Sequence, residues 1–141
     1  MFTFGREHEI EQATCFIGDT QKAEPLLRVI NLVHDQIEGA ENQAEVVEAI
    51  KFAISEGPSG VWESAGSWLK KLSVENGEYA QVWLQLASHQ HSKVRFRVAS
   101  FIGEIPSPVG EEVSELLSND ASNKVREHAA GKINSANGLY Q

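Results

Sequence analysis

The sequence predicts an all-α protein built as an array of about four antiparallel helix pairs, and three observations predict it. Apolar residues recur at i, i+3, i+4 and i+7 through eight segments, the spacing that gathers them on one side of a helix. Strand-like alternation is not sustained anywhere. A shift of 31 residues lays the last part of the chain over the part before it, a period that fits two helices per unit.

The first segment, around Glu7 to Ile17, is the weakest, because Thr14 and Cys15 are indifferent helix formers. The second has Pro25 near its first turn, a stripe of Leu26, Ile30, Val33 and Ile37, and Gly39 as terminator. Val29 and Leu32 widen that stripe, which predicts a central helix. In the third, Asn42 is a good N-cap and Glu45 follows three residues later, as in a capping box. Val46, Val47, Ile50, Ala53 and Ile54 form its apolar side, and Gly57 stops it.

Beyond Gly57-Pro-Ser-Gly60, the fourth segment carries Trp62, Ala65, Leu69 and Leu72 on its core side, with Trp68 at the edge. Asn76-Gly77 breaks the chain before Tyr79, Val82, Trp83 and Leu86. Ser92 caps a run with Val94, Val98, Phe101, Ile102 and Ile105 on one side. Ser107-Pro108 opens a helix whose inner face is Val109, Val113, Leu116 and Leu117. Ser122 starts the last, with Val125, Ala129 and Ile133.

Length and composition set bounds. A chain of 141 residues predicts one domain over 1–141, long enough to bury a sizeable core. Hydrophobic residues at 41% and charged residues at 23% are ordinary for a globular chain. The single cysteine, Cys15, rules out an internal disulfide framework. The N-terminal stretch lacks a basic start followed by an apolar run, and no stretch is apolar enough to span a membrane, so the expected location is cytoplasmic.

Under the shift of 31, Val82 falls on Val113, Leu86 on Leu117, and Ser92-Lys-Val-Arg95 on Asn123-Lys-Val-Arg126. Val98 then meets Ala129, and Ile102 meets Ile133. This arrangement, a helix, a short polar turn, Lys-Val-Arg and then a small-residue face, resembles HEAT-like repeats. It is clearest over 78–105 and 107–135 and looser over Ala44–Leu72, where Ser64 and Ala65 replace Val-Arg. The resemblance implies a HEAT-like α-solenoid. It also implies that an Asp in the inter-helix turn pairs with the Arg of the motif, a pattern that Asp120 and Arg126 match. In the preceding unit His89 stands at the Asp position, so Arg95 would turn instead to Asp120 or to an open carbonyl.

No constellation for catalysis emerges. His89 and His91 form His-x-His in a polar turn without carboxylates or cysteines at ligand spacing, so no metal site is expected. His34 on the central helix reads as a satisfied, partly buried side chain, and His128 beside Glu127 as a solvated one. Cys15 has no flanking signature, there is no Gly-x-Ser-x-Gly elbow, and Gly57-Pro-Ser-Gly60 lacks the Lys-Ser/Thr ending of a phosphate loop. The expectation is a protein that is not an enzyme and uses no cofactor or small-molecule substrate.

That leaves binding. The net charge is −8, with residues 1–55 holding 4 Lys/Arg against 10 Asp/Glu and residues 56–141 holding 8 against 10. An acidic chain attracts basic proteins and repels phosphate backbones. Lys93, Arg95, Arg97, Lys124, Arg126 and Lys132 make a basic stripe, but two of its arginines have structural readings, so nucleic acid ranks behind protein as a partner. The expected partner-binding residues are an acidic ridge of Glu41, Glu45 and Glu48 ending in Phe52 on the third helix, with Phe96 and Arg97. Aromatics set among charges suit interface anchors ringed by polar groups.

The stretches Gly60-Val-Trp-Glu-Ser-Ala-Gly-Ser-Trp-Leu-Lys-Lys-Leu72 and Lys93-Val-Arg-Phe-Arg-Val-Ala-Ser-Phe101 resemble small immunity proteins that accompany bacterial polymorphic toxins, as in contact-dependent growth inhibition. The resemblance implies a protein that binds and neutralises a cognate toxin domain, and an acidic binder suits a basic one such as a nuclease. The alternative is a general HEAT-like adaptor in another complex.

Overall fold

The computed structural model describes residues 3–138, which form helices joined by turns, with no strand among the described residues. Eight helices follow one another: α1 (Arg6–Ile17), α2 (Thr20–Ile37), α3 (Gln43–Glu56), α4 (Val61–Glu75), α5 (Gly77–Ala87), α6 (Ser92–Ala99), α7 (Val109–Ser118) and α8 (Asn123–Gly138). Two compact units divide between Trp68 and Leu69, inside α4.

In the first unit α2 packs against both α1 and α3 and is the central helix. It begins earlier than expected. Asp19 caps it, its carboxylate accepting from the backbone N–H groups of Gln21 and Lys22 at 2.9 and 3.2 Å. Pro25 therefore lies inside α2 rather than near its first turn, where a proline costs about 3 kcal/mol. Leu26, Val29, Ile30 and Val33 are all buried, each contributing about 1.5–3 kcal/mol, and together they outweigh the proline. Gly39, at φ 112°, ends the helix in a conformation that side chains rarely adopt.

The capping box expected for α3 does not form. Asn42 makes no side-chain cap, and its Nδ2 instead donates to the Leu32 carbonyl at 2.9 Å, so the residue ties the loop back to α2. Gly57 closes α3, and only glycine fits there. A Cβ would run into the Ala53 carbonyl and sit 2.6 Å from Val61 Cγ1. On α4 the tryptophans exchange their expected roles: Trp68 is buried and Trp62 half-buried, because Val61 takes the core position at the helix start.

In the second unit α5 lies beside α6 and α7, and α8 lies beside α6 and α7. Trp83 is fully buried at its centre. Its ring sits 5.0 Å from that of Phe101, and its Nε1 donates to Ser73 Oγ, whose hydroxyl donates to the Leu69 carbonyl. That chain satisfies the buried indole. α6 is short. It ends at Ala99, and Phe101, Ile102 and Ile105 reach the core from a run of turns instead of a continuing helix. Ser92 is its first residue, preceded by His91 without a side-chain cap. On α7, Leu116 is 43% exposed, so Val109, Val113 and Leu117 alone form the buried side.

Candidate functional site

The acidic ridge divides between a loop and a helix. Glu41 precedes α3, whereas Glu45, Glu48 and Phe52 stand on it, at i, i+3 and i+7. At 100° per residue these three fall within about 60° of arc. They lie away from the buried Val46, Ala49, Ile50, Ala53 and Ile54. All three project into solvent, Phe52 with 56% of its surface exposed. Glu45 in the first turn also meets the positive end of the helix dipole, which stabilises it there.

The unit carrying this ridge also carries the whole net charge. Residues 1–68 hold 4 Lys/Arg against 12 Asp/Glu, and residues 69–141 hold 8 against 8. One of the few cations in the first unit is committed within it: Arg6 of α1 pairs with Asp35 and Glu38 of α2 at 2.7 and 3.0 Å. The hydrogen bond to Asp35, then the charge of Glu38, raise the guanidinium pKa further above its already high value.

The same unit holds a groove of about 310 Å³ whose walls include Ala13 and Phe16 of α1, Leu26 and Ile30 of α2, and Trp68 of α4. Phe16 stands at 73% exposure beside it. Periodicity could not find this groove, since its walls bring together residues of three helices, α1, α2 and α4. His34, expected to be satisfied, is buried with its ring centroid 6.3 Å from that of Trp68 and the two planes 74° apart, and its Nε2 has no hydrogen-bond partner among the described residues.

In the second unit, two of the basic residues hold the fold together. Arg95 Nη1 donates to the His89 carbonyl at 2.7 Å, and Arg126 Nη1 donates to the Asp120 carbonyl at 2.6 Å. Each arginine thus closes its own inter-helix turn by reaching six residues back. The Asp120 carboxylate takes Arg95, not Arg126: Nε and Nη2 donate to its two oxygens at 2.7 and 3.1 Å, and the Ser122 N–H adds a third bond at 2.8 Å. The expected Asp120–Arg126 side-chain pair is absent because Arg126 is drawn to the carbonyl of that residue and to Asn123 Oδ1. Burial pushes the Asp120 pKa upward, but the Arg95 hydrogen bond, the Ser122 N–H and the charges of Arg95 and Arg126 together hold it below the ordinary range.

Phe96 is not isolated on its helix. Its ring stacks on His128 of α8, with centroids 4.2 Å apart and planes 11° from parallel, and 37% of the residue stays exposed. His128 Nε2 also lies 2.8 Å from Ser100 Oγ, so this histidine is docked rather than solvated. Burial, and then repulsion from Lys132, lower its pKa. Arg97 is half-buried beside Phe96 and is itself engaged in an interaction. The six expected contact residues therefore fall into two groups, Glu41, Glu45, Glu48 and Phe52 in the first unit and Phe96 and Arg97 in the second.

Among the described residues, no three His, Cys, Asp or Glu side chains converge in a way that could hold a metal ion. No described helix is long and apolar enough to cross a membrane. No protein-family model matches the chain, and no curated protein and no solved structure matches it either.

Proposed function

We propose that the chain is a non-catalytic protein-binding module made of four HEAT-like antiparallel helix pairs. We further propose that it serves in the cytoplasm as an immunity protein that neutralises a basic toxin domain. The observation that carries the binding reading is the outward face of α3, where Glu45 and Glu48 surround an exposed Phe52 in the unit that holds all of the net charge. Opposite charge steers a basic partner inward, and an aromatic ring supplies the short-range anchor. The repeat reading is supported by Arg95 and Arg126, 31 positions apart, each bonding to the carbonyl six residues before it. The toxin assignment rests on the sequence resemblance described above.

Co-expression with a toxin domain encoded beside this chain tests the proposal. Cells carrying the intact protein should survive, and a complex should elute in gel filtration. Death at the rate of unprotected cells, with no complex, would end the immunity reading. In a complex that does form, Glu45→Lys with Glu48→Lys should slow association, and raised salt should reduce the difference between variant and parent. Phe52→Ala should instead speed dissociation, weakening the complex by on the order of 2 kcal/mol. Unchanged kinetics in both variants would move the contact off α3.

A further inference from the structure

Charge in the second unit is sorted by helix. The neighbours α5 and α7 carry Glu78, Glu111, Glu112 and Glu115 and no lysine or arginine. The neighbours α6 and α8 carry Lys93, Arg95, Arg97, Lys124, Arg126 and Lys132 against Glu127 alone. Contacts between α6 and α8 keep these charges together: Phe96 stacks on His128, Ser100 meets the same imidazole, and the shared Asp120 turn holds Arg95.

The placement of the lysines is costly to the helices that carry them. Lys93 and Lys124 are exposed in the first turns of α6 and α8, and neither first turn contains an acidic residue. The positive end of a helix dipole repels a cation there. An anionic surface brought against this face would relieve that repulsion at both helices together. The same chain owns such a surface. Glu45 and Glu48 project from α3 around Phe52, and both faces have an exposed aromatic ring among like charges.

We propose that the basic α6/α8 face docks the acidic α3 face of a second copy of this chain. Each contact pairs one basic face with one acidic face, so two copies can exchange both contacts or each copy can serve two neighbours. Charge complementarity selects this occupant: the first unit concentrates the negative charge of the whole chain, and at any concentration of protein this acidic surface is present in equal amount. A nucleic-acid backbone is the competing anion, and the net charge of −8 opposes its approach over long range. The same net charge repels a second copy too, so the assembly depends on close contact of the two faces and not on attraction between whole molecules. The α3 face is the one proposed above for the toxin, so a second copy and a toxin domain would compete for it; the test below contains this chain alone, and its outcome does not depend on any toxin.

Sedimentation of the purified full chain over a concentration series, at low and at high salt, tests it. At low salt the weight-average mass should at least about double across the series, and high salt should return it to the monomer. Glu45→Lys with Glu48→Lys should abolish the rise, and so should Lys93→Glu with Lys124→Glu. An equimolar mixture of the two variants should restore it, because each then presents surfaces opposite in sign to those of the other. That restoration also shows that both variants are folded, as circular dichroism checks separately. A parent chain that stays monomeric overturns the proposal, and so do variants that associate like the parent or a mixture that does not assemble. If a single-stranded oligonucleotide raises the mass of the parent where concentration alone does not, the face takes phosphate and the self-association proposal fails.

Discussion

Replacing Asp120 by alanine tests a carboxylate that accepts three hydrogen bonds in the second unit. The substitution removes two charge-assisted bonds to Arg95 and one from the Ser122 N–H, from a carboxylate whose side chain is only 6% exposed. It also leaves the Arg95 guanidinium, 16% exposed, without its counter-charge. Breaking a fully buried pair by removing one partner costs about 3–5 kcal/mol. Here Arg95 keeps the His89 carbonyl and reaches some solvent, so a loss of about 2–4 kcal/mol is expected. Urea unfolding of Asp120→Ala, Arg95→Ala and the double variant provides the measurement. The double variant should lose less than the sum of the singles, with a coupling of about 1–3 kcal/mol. The acid limb gives a second check. The folded pKa of Asp120 lies below its ordinary value, so its contribution is complete above the ordinary aspartate range and is lost as pH falls through the folded value. Asp120→Ala should therefore flatten the acid limb of the stability curve. A loss below about 0.5 kcal/mol, or strictly additive singles, would refute the coupling of Asp120 to Arg95.

Arg126→Ala should destabilise the fold by about 1–2 kcal/mol, through loss of its bond to the Asp120 carbonyl, while Lys124→Ala on the exposed side stays within about 0.5 kcal/mol; equal melting temperatures for the two would show that closing the turn does not matter. His128 gives a pH dependence of the same sign in a higher pH window. Its folded pKa is lowered, so the unfolded chain binds the proton first and stability should fall as pH drops from the ordinary histidine value, near 6.5, through the folded value, then level off. His128→Gln should remove that part of the slope in melts taken between about pH 7 and pH 5.

Periodicity exposed most of the fold because most of these helices bury one continuous side. Val46, Ile50, Ala53 and Ile54 on α3, and Tyr79, Val82, Trp83 and Leu86 on α5, are all buried where spacing alone put them. It misled where a single residue had a stronger competing partner. Asn42 looked like a cap but bonds to the Leu32 carbonyl, and Trp62 looked central until Val61 took the core position. Polar pairing was legible by residue type but not by partner. The repeat singled out both arginines, and the structure joins each to the turn before it, yet the carboxylate between them went to the arginine of the preceding repeat. A repeat aligned on itself fixes which residues are equivalent, and equivalence says nothing about contacts between repeats, because those join positions that the alignment never superposes. The stack of Phe96 on His128 was hidden for the same reason, since the two rings come from different repeats and occupy non-equivalent positions. The outward residues of α3 were legible because their exposure follows from the buried side of one helix.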